Sequence, residues 1–210
     1  MILVRTLLLS TAVLALLPST GNAQPLRSTG VDVTAGRDNR WSVSNDGGAT
    51  FAAAFVVTNP PGAWTPNTGA YSWIGVSASG TGGSGSYRAR TQFSVSAGDA
   101  LSVTLRCTAD NSPLGIFING ALAGGSGGCG GGNSFRLAPA MTFTDWIMGL
   151  NTLEIRWTGD GTTDGALVSI DNVTLSPGVP GVVPEPSTYA LLASGLGILA
   201  LTARRRQRTI

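Results

Sequence analysis

Apolar and polar residues alternate one by one through several short stretches of this chain, and Gly, Asn, Asp or Pro interrupts them repeatedly. Leu153, Ile155 and Trp157 alternate with Glu154, Arg156 and Thr158. Phe93 and Val95, then Leu101, Val103 and Leu105, alternate with Ser, Thr and Arg. Successive side chains of a strand point to opposite faces, so this period of two buries one face and wets the other. Further strand candidates are residues 52–57, 71–76, 116–118 and 167–175, and Asn119-Gly120 is a strong hairpin-turn signal. Only residues 139–150 could hold a helical turn. The pattern predicts an all-β fold over residues 24–176, a single β-sandwich or jelly roll.

The two ends read differently. Arg5, an apolar run over 7–17, Pro18 and Gly21-Asn22-Ala23 have the order of a secretory signal peptide, residues 1–23, cleaved after Ala23. An uncleaved anchor is the alternative. After the domain, residues 177–182 form a Pro/Gly-rich linker. Pro184-Glu185-Pro186 then precedes an apolar run over 189–203 and the basic residues Arg204, Arg205, Arg206 and Arg208. As a helix that run covers roughly 22 Å at ~1.5 Å per residue. A bilayer core is ~30 Å thick, so it spans only if the Arg side chains snorkel. Positive charge stays cytoplasmic, which places the main body outside.

Residues 183–208 resemble the PEP-CTERM sorting signal: a Pro-Glu-Pro box, a short transmembrane helix and an Arg-rich tail, in that order. The resemblance implies exosortase as a partner, acting at or near Pro184, Glu185 and Pro186. It also implies membrane attachment through the 189–203 helix before processing, then release to the cell surface or an exopolysaccharide-rich matrix. An ordinary tail anchor with the same topology is the alternative.

Composition narrows the chemistry. Histidine is absent and all 13 basic residues are Arg. A Ser-His-Asp unit, a His-based zinc site, a Schiff-base lysine and a P-loop lysine are therefore impossible. The net charge of +2 comes from the ends. Residues 24–180 hold eight Arg against nine Asp and one Glu, a net of −2, which disfavours nucleic acid as a partner. A paired-carboxylate glycosidase needs two converging acids. The one Glu of the body, Glu154, reads as solvent-facing on its strand, and the Asp residues sit in turn contexts. The chain reads as a non-enzyme with no required cofactor.

Cys107 and Cys129 are the two cysteines. In an exported chain they read as one disulfide closing a Gly-rich loop of about twenty residues. Two buried thiols are the alternative.

A second resemblance covers roughly residues 85–175. Tyr87-Arg88 through Phe93, Leu101 to Leu105, Ala109-Asp110-Asn111, Ile116 to Gly120 and Gly149-Leu150-Asn151-Thr152-Leu153 follow an order similar to galactose-binding-domain-like jelly rolls. That resemblance implies a carbohydrate- or matrix-binding module and a possible structural calcium at Asp110 and Asp171. Trp64, in the loop over 60–67, is the best exposed candidate for stacking on a sugar, with Asp110, Asn111 and Asn119 as polar partners. Turn capping is the alternative role for the Asp and Asn residues. The loop over 160–165 reads as a solvated hairpin connection. A purely structural envelope protein without a ligand is the alternative function, and a hydrolase a more distant one.

Overall fold

The computed structural model describes residues 25–123, 129 and 135–177. The signal peptide expected at 1–23, all but the first linker residue and the sorting signal at 183–208 lie outside the described residues. Among the described residues no helix is long and apolar enough to cross a membrane.

The domain is all-β, as the alternation predicts. Its strands are β1 (Val33–Thr34), β2 (Arg37–Ser44), β3 (Ala52–Val56), β4 (Ile74–Gly75), β5 (Ser84–Val95) and β6 (Ala100–Asp110). They continue with β7 (Ser112–Ile118), β8 (Ala121–Leu122), β9 (Met141–Phe143), β10 (Gly149–Asp160) and β11 (Gly165–Ser176). All pair antiparallel in the order β8-β7-β10-β5-β2-β3-β4-β11-β6-β9, with β1 off this path on β2. The expected β-sandwich or jelly roll takes the form of one continuous hydrogen-bonded sheet that curls on itself. The short β4 makes the join: Ile74 pairs with Val56 on one side and Ala166 on the other.

Two long ladders form the walls. Gly149–Asp160 pairs with Ser84–Val95, and Gly165–Ser176 pairs with Ala100–Asp110. Period two then sorts the side chains. Trp41, Val43, Tyr87, Ala89, Phe93, Leu153, Ile155 and Trp157 are buried together with Leu105, Ile116 and Val168 in the main core. A smaller cluster of Val57, Trp64, Trp73 and Leu167 is covered by Tyr71, Phe135 and Leu137.

Two local expectations change. Residues 139–150 are not helical: Met141–Phe143 is a strand against Val103–Leu105. Thr142 and Phe143 suit a pleated surface better than a helix. The other change is β2, which the alternation missed because it opens Arg-Asp-Asn-Arg. Asp38 is nonetheless buried there, accepting backbone N–H groups of Gly30, Arg40 and Trp41.

Candidate functional site

Trp64 is buried, not displayed. Its side chain is 4% exposed and its indole N–H donates to Asp110 Oδ2 at 2.7 Å. The loop around it is pinned from several sides. Trp64 N–H donates to the Pro61 carbonyl, Thr65 N–H donates to the Phe135 carbonyl, and Trp73 Nε1 donates to the Thr65 carbonyl. The two indoles lie with centroids 3.9 Å apart. A side chain on Gly165 would meet Trp64 at 3.2 Å and the Ile74 carbonyl at 3.1 Å, so the glycine makes room for the ring. A ring consumed in this way has no free face for a sugar. Loop position suggested exposure, but the apolar area of an indole drives it under any cover the chain supplies.

Of the sequence-selected residues, the structure unites Trp64, Asp110 and Asn111. Asp110 is 6% exposed, and Asp164, just before β11, is 1% exposed. Burial, and the charges of Asp164 and Asp160, push the Asp110 carboxyl up to about 6 against the hydrogen bond from Trp64. Burial likewise raises Asp164, so the loop over 160–165 is solvated only at its Asp160 side. Among the described residues, Asp110 Oδ1, both Asp164 oxygens, Asn111 Nδ2 and Trp157 Nε1 have no hydrogen-bond partner. These orphans mix acceptors with donors. Calcium takes six to eight oxygens. Among the described residues no group of three or more acidic or cysteine side chains is placed to hold a metal ion.

Asp171 lies elsewhere. The Cα partner of Asp110 is Gly165, six residues from Asp171, roughly 20 Å along the strand. Asp171 instead accepts both Arg106 Nε at 2.8 Å and Arg106 Nη2 at 3.0 Å, and that pairing holds its carboxyl below the usual range. Asp110 and Asp171 cannot share one ion.

Asn119 is at the far end of β7, roughly 25 Å from Asn111. It occupies the left-handed region at φ 52° in the β7–β8 turn. Its amide donates to Asn151 Oδ1 and its side-chain oxygen accepts the Thr152 N–H. This is turn capping. Cys107 and Cys129 are bonded, with Cα atoms 4.8 Å apart.

A second constellation was not anticipated. Glu154, expected in solvent, is 7% exposed and pairs with Arg156 and, at 3.5 Å, with Arg88. The same outer face of the sheet carries three guanidinium–ring stacks: Arg37 over Phe55 at 3.7 Å, Arg90 over Phe51 at 3.5 Å and Arg156 over Phe117 at 3.7 Å. The sequence signal was present in Tyr87-Arg88-Ala89-Arg90, where Arg takes every outward position. Which rings those Arg would meet depends on strands distant in the chain.

Comparison with known proteins addresses the other end of the molecule. The family model described as "PEP-CTERM protein-sorting motif" matches residues 182–207. This chain carries a PEP-CTERM sorting motif. The match begins one residue before the sequence reading of the signal and ends one residue before its last. It agrees with the Pro-Glu-Pro box, the apolar run and the Arg tail in their order, and supports the chain as an exosortase substrate. No curated protein and no solved structure matches the chain.

Proposed function

We propose that this PEP-CTERM chain is a non-catalytic domain exported across the inner membrane, held briefly by its C-terminal helix, and transferred by exosortase to the cell surface or matrix. There it binds carbohydrate or matrix polymer. The observation that carries the reading is the sorting motif at 182–207. Supporting the non-catalytic part, the acids of raised pKa, Asp38, Asp110 and Asp164, are all buried, with Asp110 held by the Trp64 indole. A glycosidase needs its two carboxyls on either side of an accessible bond.

The sorting step is tested by fractionating producing cells that carry the wild-type chain or the E185A variant. The wild type is expected at the surface or in the medium, and E185A in the membrane fraction. Identical distributions would overturn the sorting role of the motif. The binding step is tested by co-sedimentation of the chain with exopolysaccharide from the same cells.

A further inference from the structure

We propose that the outer face of β3-β2-β5-β10-β7 is a docking surface for a carboxylate-bearing polysaccharide; this names the partner class of the binding reading above and rests on it. The net charge of the body is −2, but charge is not spread evenly. Arg37, Arg88, Arg90 and Arg156 share this one face, against Glu154 within it and Asp46 and Asp160 at its rim. Asp46 is turned onto Ser44 and onto the Thr50 amide and hydroxyl.

Register makes the face a row. Ser42 pairs with Arg90, Arg90 with Glu154, and Glu154 with Phe117, so neighbouring positions are about 4.8 Å apart across the strands. Arg88 lies two residues from Arg90 on the same strand face, about 7 Å away, and pairs directly with Arg156. Arg88 and Arg156 are tied to Glu154. Among the described residues Arg37 and Arg90 have no carboxylate partner: Arg37 donates to the Ala53 carbonyl at 3.0 Å, and Arg90 lies on Phe51.

A guanidinium stacked on a ring is oriented before any ligand arrives, and its five N–H donors lie in the ring-parallel plane where a carboxylate can meet those left over. Preorganised donors lose less entropy on binding. Ser42 lies beside Arg90, and Gln92 and Thr152 form the next pair along the strands, with Gln92 donating to Thr152 Oγ1 at 3.3 Å, as hydroxyl and amide partners for sugar hydroxyls. Carboxylates spaced along a hydroxyl-rich chain match that mixture. A single-stranded nucleic acid would need bare ring faces for its bases, and here Arg covers them.

The test uses the full chain in detergent with three immobilised probes: polygalacturonate, neutral dextran and duplex DNA. Wild type is expected to bind polygalacturonate, more weakly as salt rises. R37Q/R90Q, which leaves both Glu154 pairs intact, is expected to lose about tenfold in affinity, and R136Q to lose nothing. R90Q alone serves if the double variant loses its near-ultraviolet circular dichroism. Unchanged binding by a folded R37Q/R90Q chain would overturn the proposal. So would loss confined to R204Q/R205Q/R206Q/R208Q, or stronger binding to DNA. Dextran binding that ignores these Arg substitutions would overturn this surface and leave carbohydrate binding standing. Binding to no polysaccharide, including the cells' own, would overturn both.

Discussion

Trp64 carries two burdens that pull the same way. It fills the small core with Trp73, Val57 and Leu167, and it donates a hydrogen bond to Asp110 Oδ2. Removing the indole from a buried site costs about 3–5 kcal/mol, and the orphaned carboxyl adds to that. W64A is therefore expected to lose at least about 3 kcal/mol of stability in urea unfolding, instead of losing a ligand while staying stable. An unchanged midpoint would show that the ring is not core. Glu154 makes the same point in reverse. Its alternation with Leu153 and Ile155 puts it outward, correctly, but the Arg residues of β5 and β10 fold over it. Alternation specifies a face; it does not specify how deeply that face is covered.

At the level of strands, the long elements were legible, and of the short ones β3 and β4 fall within the expected 52–57 and 71–76 while β1, β8 and β9 were not foreseen. β5, β6 and β10 repeat their apolar residues often enough for period two to stand out, and β11 reads as a strand from its apolar, β-branched content. β1, β4 and β8 have two residues each, too few to hold any period. These short pieces nonetheless decide whether the sheet is open or joined. The disulfide acts at the same scale, tying β6 through Cys107 to a segment 22 residues on. Closing a loop of that length removes about 3 kcal/mol of unfolded-state entropy in the chain model. C107S/C129S is expected to unfold about 3 kcal/mol more easily, with the native near-ultraviolet spectrum retained at low temperature. A stability equal to wild type would show that the unfolded chain is not constrained by the bond.

Across the whole domain the buried acids set the response to pH. Burial raises Asp38, Asp110 and Asp164 above the ordinary 3.8, Asp110 to about 6. A carboxyl that binds its proton more tightly when folded adds stability below 3.8, and this is lost as pH rises through its folded value. Asp32, Asp46, Asp160 and Asp171 are lowered, so their contribution is lost only below 3.8. The interval from 4 to 7 thus belongs to the raised group. The melting temperature is expected to fall across it, and D110N, which keeps an acceptor for Trp64, is expected to flatten the fall. A melting temperature that rises from pH 4 to 7 would contradict the burial of these carboxyls. The all-β class, the long strands and the sorting motif were readable in the chain because each depends on neighbours in sequence: an alternation, or a box, an apolar run and a basic tail in order. The burial of Trp64, the separation of Asp110 from Asp171 and the Arg–Phe face were not. Each arises where β5, β10 and β11 meet residues dozens of positions away, and it is the register of those pairings that assigns every side chain its neighbours and its depth.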